Sequence, residues 1–172
     1  FLMDESLKFS IVDAVFESTS GWTTTGATVI SNIDDLNKPL LLYRQLLQWL
    51  GGIGIVVLVL AILPILGVGG MYLYKAETSS PVKDNKLSPR ITETAKSLWG
   101  VYIVLTIACA VLYKIAGMSY FDAIGHSFST VSIGGFSTHD ASIGFYSSDQ
   151  IKIICMVFMF LSALMLVLQL CW

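Results

Sequence analysis

Two stretches of the sequence are rich in small and hydroxyl-bearing residues and could bind a cation through their backbone. The first stretch is Thr23–Thr28, and the second is Ile133–Ser137. Each contains a glycine, which can take backbone angles that a residue with a Cβ resists. A strand that turns its carbonyl oxygens toward one axis can replace the hydration shell of an ion. We therefore predict that Gly26 and Gly135 lie in two cation-binding strands that approach each other across a shared axis.

The two stretches belong to an internal repeat. Ser10 aligns with Ser119, 109 positions further on, and seven other pairs follow in the same register. These pairs are Asp13 with Asp122, Ala14 with Ala123, Val15 with Ile124, Ser18 with Ser127, Ser20 with Ser129, Gly26 with Gly135, and Thr28 with Ser137. Chance could produce one or two of these matches, but hardly all of them. Repeats of this kind in membrane proteins usually place a functional site at their interface.

Each copy begins with a helix-capping pattern, a serine followed three residues later by an aspartate. About ten helix-compatible residues follow, enough for a helix of roughly 15 Å, or half a bilayer. The carboxyl end of such a helix would lie near the membrane centre, where its partial negative charge stabilises a cation. The pattern predicts two loops that enter the membrane as a helix and return as an extended strand. Ordinary extracellular loops with turn glycines are the alternative, and they need neither the repeat nor the capped helix.

The composition predicts that membrane-spanning helices hold these loops. Hydrophobic residues make up 55% of the 172 residues and charged residues 13%, and the mean hydropathy is +0.74. Spans are predicted at about Leu40–Leu66, Lys96–Tyr113 and Gln150–Leu170, with Arg44 reaching toward the lipid headgroups. A soluble protein with buried core helices is disfavoured, because such helices would lack a polar face to meet water.

The distribution of positive charge predicts the topology. Half of all Lys and Arg residues lie from Lys75 to Lys96, so this loop is predicted to be cytoplasmic and the re-entrant loops to enter from the opposite face. The chain then divides into three parts. Residues 1–74 hold the pore loop and inner helix of a first repeat, residues 75–95 a cytoplasmic linker, and residues 96–172 the outer helix, pore loop and inner helix of a second repeat.

Other classes of site find little support. The net charge of −2, with no basic stripe, argues against a nucleic-acid partner. The three cysteines, Cys109, Cys155 and Cys171, lie singly in apolar runs and are predicted to pack rather than to bind metal. No convincing Ser/His/Asp or Cys/His set is present, so we expect no enzyme and no cofactor.

His126 aligns with Glu17 on the short helices. Proton coupling is one hypothesis for this pair, and polar contacts that fix the helix are the favoured one.

Residues 16–28, FESTSGWTTTGAT, and 127–138, SFSTVSIGGFST, resemble the first and second pore loops of the Trk/Ktr/HKT superfamily, its bacterial TrkH branch in particular. Residues 48–54, QWLGGIG, fit the same family. The resemblance implies an all-α integral membrane protein with repeated helix–pore loop–helix units of a potassium-channel-like pore, four units in one polypeptide. It implies a selectivity filter that contains Gly26 and Gly135 and in which backbone carbonyls bind potassium. These are the carbonyls of Thr24, Thr25, Ile133 and Gly134.

The resemblance further implies potassium uptake across the cell inner (cytoplasmic) membrane by a multi-pass protein, with the potassium ion as transported ligand. A homodimer, the remaining repeats of the same protein and a cytoplasmic nucleotide-binding regulatory subunit are the implied partners. Since only two of four units are present, we expect the chain to be part of a longer protein. The alternatives are another re-entrant-loop cation channel, sodium-selective or non-selective, and a secondary transporter with discontinuous helices. Parallel repeats favour the channel types, and channel-like flux and symport with sodium or protons both fit the sequence.

Overall fold

A computed structural model describes residues 10–66 and 87–170, and every regular element in these two ranges is a helix. Short 3-10 turns at Ile33–Asp35 and Ser142–Phe145 lie in the connections that follow the predicted strands. The five α-helices are α1 (Ile11–Trp22), α2 (Lys38–Leu66), α3 (Leu87–Ile115), α4 (Tyr120–Val131) and α5 (Asp149–Leu170).

The two short helices have the length and the caps that the repeat predicts. Both α1 and α4 contain 12 residues, which is about 18 Å of helix. The Oγ of Ser10 accepts the backbone N–H of Asp13 at 3.2 Å, and the Oγ of Ser119 accepts that of Asp122 at 3.1 Å. Because a helix leaves its first N–H groups unpaired, these bonds fix where each short helix begins.

The three long helices have 29, 29 and 22 residues, enough to cross a bilayer. Helix α3 begins at Leu87, earlier than the predicted start at Lys96, so part of the predicted 75–95 linker is helical. Pro89 lies in its first turn, where a missing N–H costs little. Residues 67–86 lie outside the described residues, and the cytoplasmic position of this linker stays a prediction.

One stretch among the described residues, Lys96–Ile115, is long and apolar enough by length and composition to cross a membrane. Side chains at 55–57 and 59–66 of α2, at 87–95 of α3 and at 166–170 of α5 are not among those that the structure describes. Apolar side chains at Val101, Val104, Ile107 and Val111 are exposed along α3. An exposed apolar stripe of this kind is typical of a helix in a bilayer.

The core lies where the short helix α4 packs against α2, α3 and α5. Its buried side chains include Cys109, Tyr113, Met118, Ile151 and Phe158. The predicted packing role is confirmed for Cys109, which is fully buried, while Cys155 packs at the edge of this core and Cys171 lies outside the described residues. The short helix α1 packs mainly against α2.

One buried hydrogen bond joins the outer helix of the second repeat to its short helix. The hydroxyls of Tyr113 and Thr130 are 2.8 Å apart, and both residues are buried. We predict that Tyr113→Phe lowers the free energy of unfolding by about 1 kcal/mol, because the Thr130 hydroxyl loses its partner. Thermal unfolding of the complete protein in detergent measures this change. Tyr120→Phe is the control, since Tyr120 is exposed, and an equal loss in both variants would contradict the assignment.

Candidate cation site

The two predicted cation-binding strands follow α1 and α4 directly and lie side by side. A Cβ built on Gly26 would overlap the carbonyl oxygen of Gly134 and lie 3.4 Å from the Cα of Gly135. The folding of the chain thus brings together two glycines that the sequence places 109 positions apart. The two strands meet backbone to backbone, with no side chain between Gly26 and the second strand.

Both strands share an alternation of backbone conformation. The φ angles are 54° at Thr24 and 76° at Gly26 in the first strand, and 56° at Ile133 and 84° at Gly135 in the second. The residues between them, Thr25 and Gly134, are outside the left-handed region. A regular β-strand turns successive residues to opposite faces. Inserting left-handed residues at every second position brings successive carbonyls toward the same side.

The left-handed conformation of Thr24 and Ile133 carries strain. Both residues are β-branched, and such residues rarely adopt a positive φ, at a cost of about 1–3 kcal/mol each. Strain of this kind persists only where the surrounding structure enforces it, and it is concentrated at functional sites. The two positions are equivalent in the repeat, so the same strained turn has been built twice. Sequence reasoning named Thr24 and Ile133 as carbonyl ligands, but it did not predict their left-handed conformation.

Three of the four predicted carbonyl ligands are unengaged. Within 10–66 and 87–170, no hydrogen bond is made to the carbonyl oxygens of Thr24, Thr25 or Ile133. The fourth, the carbonyl oxygen of Gly134, accepts a hydrogen bond from the Nε2 of Gln48 at 2.7 Å.

Gln48 of α2 pairs with the second strand as a neighbouring peptide group would. Besides the bond from its Nε2 to Gly134, its Oε1 accepts the backbone N–H of Phe136 at 3.0 Å. Gln48 is fully buried. A Cβ on Gly134 would overlap the Gln48 carboxamide, which explains a glycine at this position. Sequence reasoning included Gln48 in the QWLGGIG motif without a role, and its only signal was a polar residue in an apolar span.

A buried ion pair ties α1 to α2. The Nη2 of Arg44 is 2.9 Å from the Oε1 of Glu17, and Nε donates to the same oxygen at 3.0 Å. Both residues are fully buried, and the guanidinium lies 4.3 Å from the ring centre of Phe136. The prediction that Arg44 reaches the lipid headgroups is therefore wrong. Arg44 lies inside the protein because it pairs with Glu17. A carboxylate buried in a membrane protein requires a counter-charge.

This ion pair also holds the ends of both strands. Thr28 donates to Glu17 at 2.9 Å and accepts from the Nη2 of Arg44 at 3.1 Å, while Nη1 donates to the carbonyl of Ser137 at 3.4 Å. Thr28 and Ser137 are equivalent in the repeat and follow the two glycines. One arginine thus contacts both strands at the same level. The interpretation of Glu17 as a polar contact that fixes the short helix is confirmed.

His126, the counterpart of Glu17, makes a simpler contact. Its Nε2 lies 3.3 Å from the hydroxyl of Thr138, and its ring packs edge-on against Tyr146. No ion pair forms between His126 and the described part of α5. Both positions therefore join a short helix to the chain beyond its strand, but with different chemistry.

Beyond the strands, His139 and Asp140 join the outer connections of the two repeats. The Nδ1 of His139 lies 2.6 Å from the Oδ1 of Asp34, and Asp140 accepts the N–H of Ile33 at 2.9 Å. The hydrogen bond from His139 holds the pKa of Asp34 below its ordinary value. The His139 ring stacks on Phe145 at 3.7 Å. These contacts link the outer connections of the two repeats.

Comparison with known proteins agrees with this geometry. Residues 1–170 match the family described as "TrkH: Cation transport protein". The chain belongs to the TrkH family. The Trk system potassium uptake protein TrkH of Halomonas elongata is 66% identical over 154 residues, covering 90% of this chain and 32% of that protein. The Trk system potassium uptake protein TrkH of Escherichia coli K12 is 59% identical to this chain over 162 residues. The match covers 94% of this chain and 34% of that protein.

A solved structure of the TrkH family shows the same fold. The crystal structure of the potassium transporter TrkH from Vibrio parahaemolyticus matches with a TM-score of 0.80 and 54% identity, covering 95% of this chain and 31% of that one. The predicted all-α membrane fold and the resemblance to the TrkH branch are confirmed. This chain spans about a third of the length of these TrkH relatives.

The buried ion pair generates a stability prediction. Arg44→Met leaves the Glu17 carboxylate without its counter-charge, and we expect a loss of about 3–5 kcal/mol in the free energy of unfolding. Adding Glu17→Gln should recover part of that loss, because the uncompensated charge disappears. Thermal unfolding of Arg44→Met and of the double variant in detergent measures the difference in the free energy of unfolding.

The exposed pair Lys152–Asp149, 3.3 Å apart, offers a control on the same protein. Lys152→Met should cost less than about 1 kcal/mol, as exposed ion pairs usually do. A loss at Arg44 no larger than the loss at Lys152 would show that the buried pair does not stabilise the fold.

Proposed function

We propose that the two strands, residues 24–26 and 133–135, form half of a potassium-selective filter in a protein that takes up potassium. The observation that carries this proposal is the pairing of two equivalent strands, each with left-handed residues at the same positions and with unengaged carbonyls. Carbonyl oxygens arranged around an axis can take the place of the water that surrounds a potassium ion.

The short helices add a favourable field. Helices α1 and α4 end at Trp22 and Val131, immediately before the strands, and neither has a basic residue in its last turn. The partial negative charge at each helix end is therefore left for a cation to interact with. Neither strand contains an acidic side chain, so the proposed binding depends on backbone dipoles. Carbonyl ligands and helix ends together suit a monovalent cation that must bind and then leave.

Potassium is the proposed ion for two reasons. The relatives from Halomonas elongata and Escherichia coli are named potassium uptake proteins. In addition, the resemblance to the Trk/Ktr/HKT superfamily implies a potassium-binding filter that contains Gly26 and Gly135. The potassium ion is then the transported ligand, bound through the carbonyls of Thr24, Thr25, Ile133 and Gly134, and no cofactor is proposed.

The rest of the proposed assembly follows from the length of the relatives. A filter of four strands requires two further repeats, and the chain spans about a third of each relative. The relatives are named as parts of a "Trk system". This name supports further components, for which we propose a second copy of the protein and a cytoplasmic nucleotide-binding subunit. The proposed location is the cell inner membrane, with 1–74 and 96–172 as two repeats around the linker 75–95.

Selectivity of the complete protein tests this function. Gly26→Ser should reduce the preference for potassium over sodium by about tenfold, which corresponds to about 1.4 kcal/mol. A Cβ here disfavours the left-handed backbone and overlaps the Gly134 carbonyl, so carbonyls in both strands are displaced. Potassium flux with competing sodium, normalised to the abundance of the protein in the membrane, measures the effect.

Gly100→Ser is the matched control, because Gly100 lies on α3 with open space around it and no positive φ. It should leave selectivity unchanged. If Gly26→Ser keeps full selectivity, or if both variants lose it equally, the filter does not lie at residues 24–26.

A further inference from the structure

Two polar side chains of α2 reach across to the strand of the other repeat. Arg44 and Gln48 are four residues apart and therefore lie on one face of the helix. Arg44 contacts the carbonyl of Ser137, and Gln48 contacts Gly134 and Phe136. The corresponding stretch of α5, residues 153–161, contains only apolar residues and cysteine. The second strand thus receives support from a helix of the first repeat.

The peptide group held by Gln48 is one that would otherwise turn easily. It joins Gly134 to Gly135, two residues without a Cβ, so rotation about this peptide meets little steric resistance. Gln48 donates to the carbonyl of that peptide and accepts the N–H two residues later. These two hydrogen bonds fix the peptide in one orientation. Since a carbonyl has two lone pairs, one remains for an ion.

We propose that Gln48 is a positioning residue that determines ion selectivity, by fixing the Gly134–Gly135 peptide and hence the adjacent carbonyl of Ile133. This inference rests on the proposed filter function of the strands. Ion preference depends on the number and arrangement of the carbonyl ligands. A peptide free to rotate would present its carbonyl to the ion only part of the time, and the strand would accept sodium and potassium more equally.

Gln45 provides a matched control on the same helix. It is also a fully buried glutamine, but neither its Nε2 nor its Oε1 has a hydrogen-bond partner in the described part of the chain. Methionine has the length of glutamine without its hydrogen-bonding groups. The substitutions Gln48→Met and Gln45→Met therefore remove the same chemistry from two equally buried positions, one next to the strand and one away from it.

The experiment uses the complete protein in membranes, with potassium flux measured against competing sodium and corrected for protein abundance. We expect Gln48→Met to lower the potassium-to-sodium preference by about tenfold. A change of this size corresponds to the free energy of one hydrogen bond of ordinary strength. Gln45→Met should keep the preference of the unaltered protein. A Gln48→Met protein with unchanged preference, or an equal loss in Gln45→Met, overturns the proposal.

A second variant decides the matter if Gln48→Met does not accumulate. Gln48→Glu keeps the acceptor for Phe136, and its ionised form loses the donor to Gly134. Protonation restores an O–H donor, so the lost selectivity should return as the pH falls, while the unaltered protein shows no such gain. Selectivity that stays low at every pH overturns the proposal. Loss in Gly26→Ser with none in the Gln48 variants refutes only this inference, whereas full selectivity in all of them refutes the filter itself.

Discussion

Backbone that leaves its helix within a membrane must find partners inside the protein, and in this chain α2 supplies them. Lipid offers no hydrogen bonds to free N–H and C=O groups, so an irregular strand is tolerated only where protein or a cavity surrounds it. Gln48 pairs with Gly134 and Phe136, and Arg44 contacts the end of the second strand. These contacts hold the strands in place, so that their other carbonyls need no hydrogen-bond partner within the protein and can face an ion.

The same support makes the strained turns tolerable. Thr24 and Ile133 adopt a positive φ although both are β-branched, and each turn follows directly on a capped helix of 12 residues. The helix fixes where the strand begins, and the Glu17–Arg44 pair holds where it ends. The contacts on either side of each turn therefore offset its backbone strain. The second repeat uses His126 and Thr138 at the corresponding place, so the two strands are similar in backbone and different in their support.

The parts of the site that depend on local sequence could be predicted, and the parts that depend on distant partners could not. Ser10 and Ser119 reveal the short helices because a capping pattern acts within one turn. Gly26 and Gly135 reveal the strands because glycine marks special backbone angles. The role of Arg44 was predicted wrongly, since a basic residue near a span end usually extends to the headgroups. Its partner Glu17 lies on another helix, and only the packing of α1 on α2 brings the two together. The role of Gln48 was missed for the same reason.

The central claim is that the carbonyls of the two strands bind a monovalent cation. Anomalous diffraction from crystals of the complete protein grown with rubidium or thallium, which replace potassium and scatter anomalously, tests it most directly. The account predicts an anomalous peak on the axis between residues 24–26 and 133–135, within contact distance of the carbonyls of Thr24 and Ile133. A structure with ordered strands and no peak there, or with peaks only beside acidic side chains elsewhere, would contradict it.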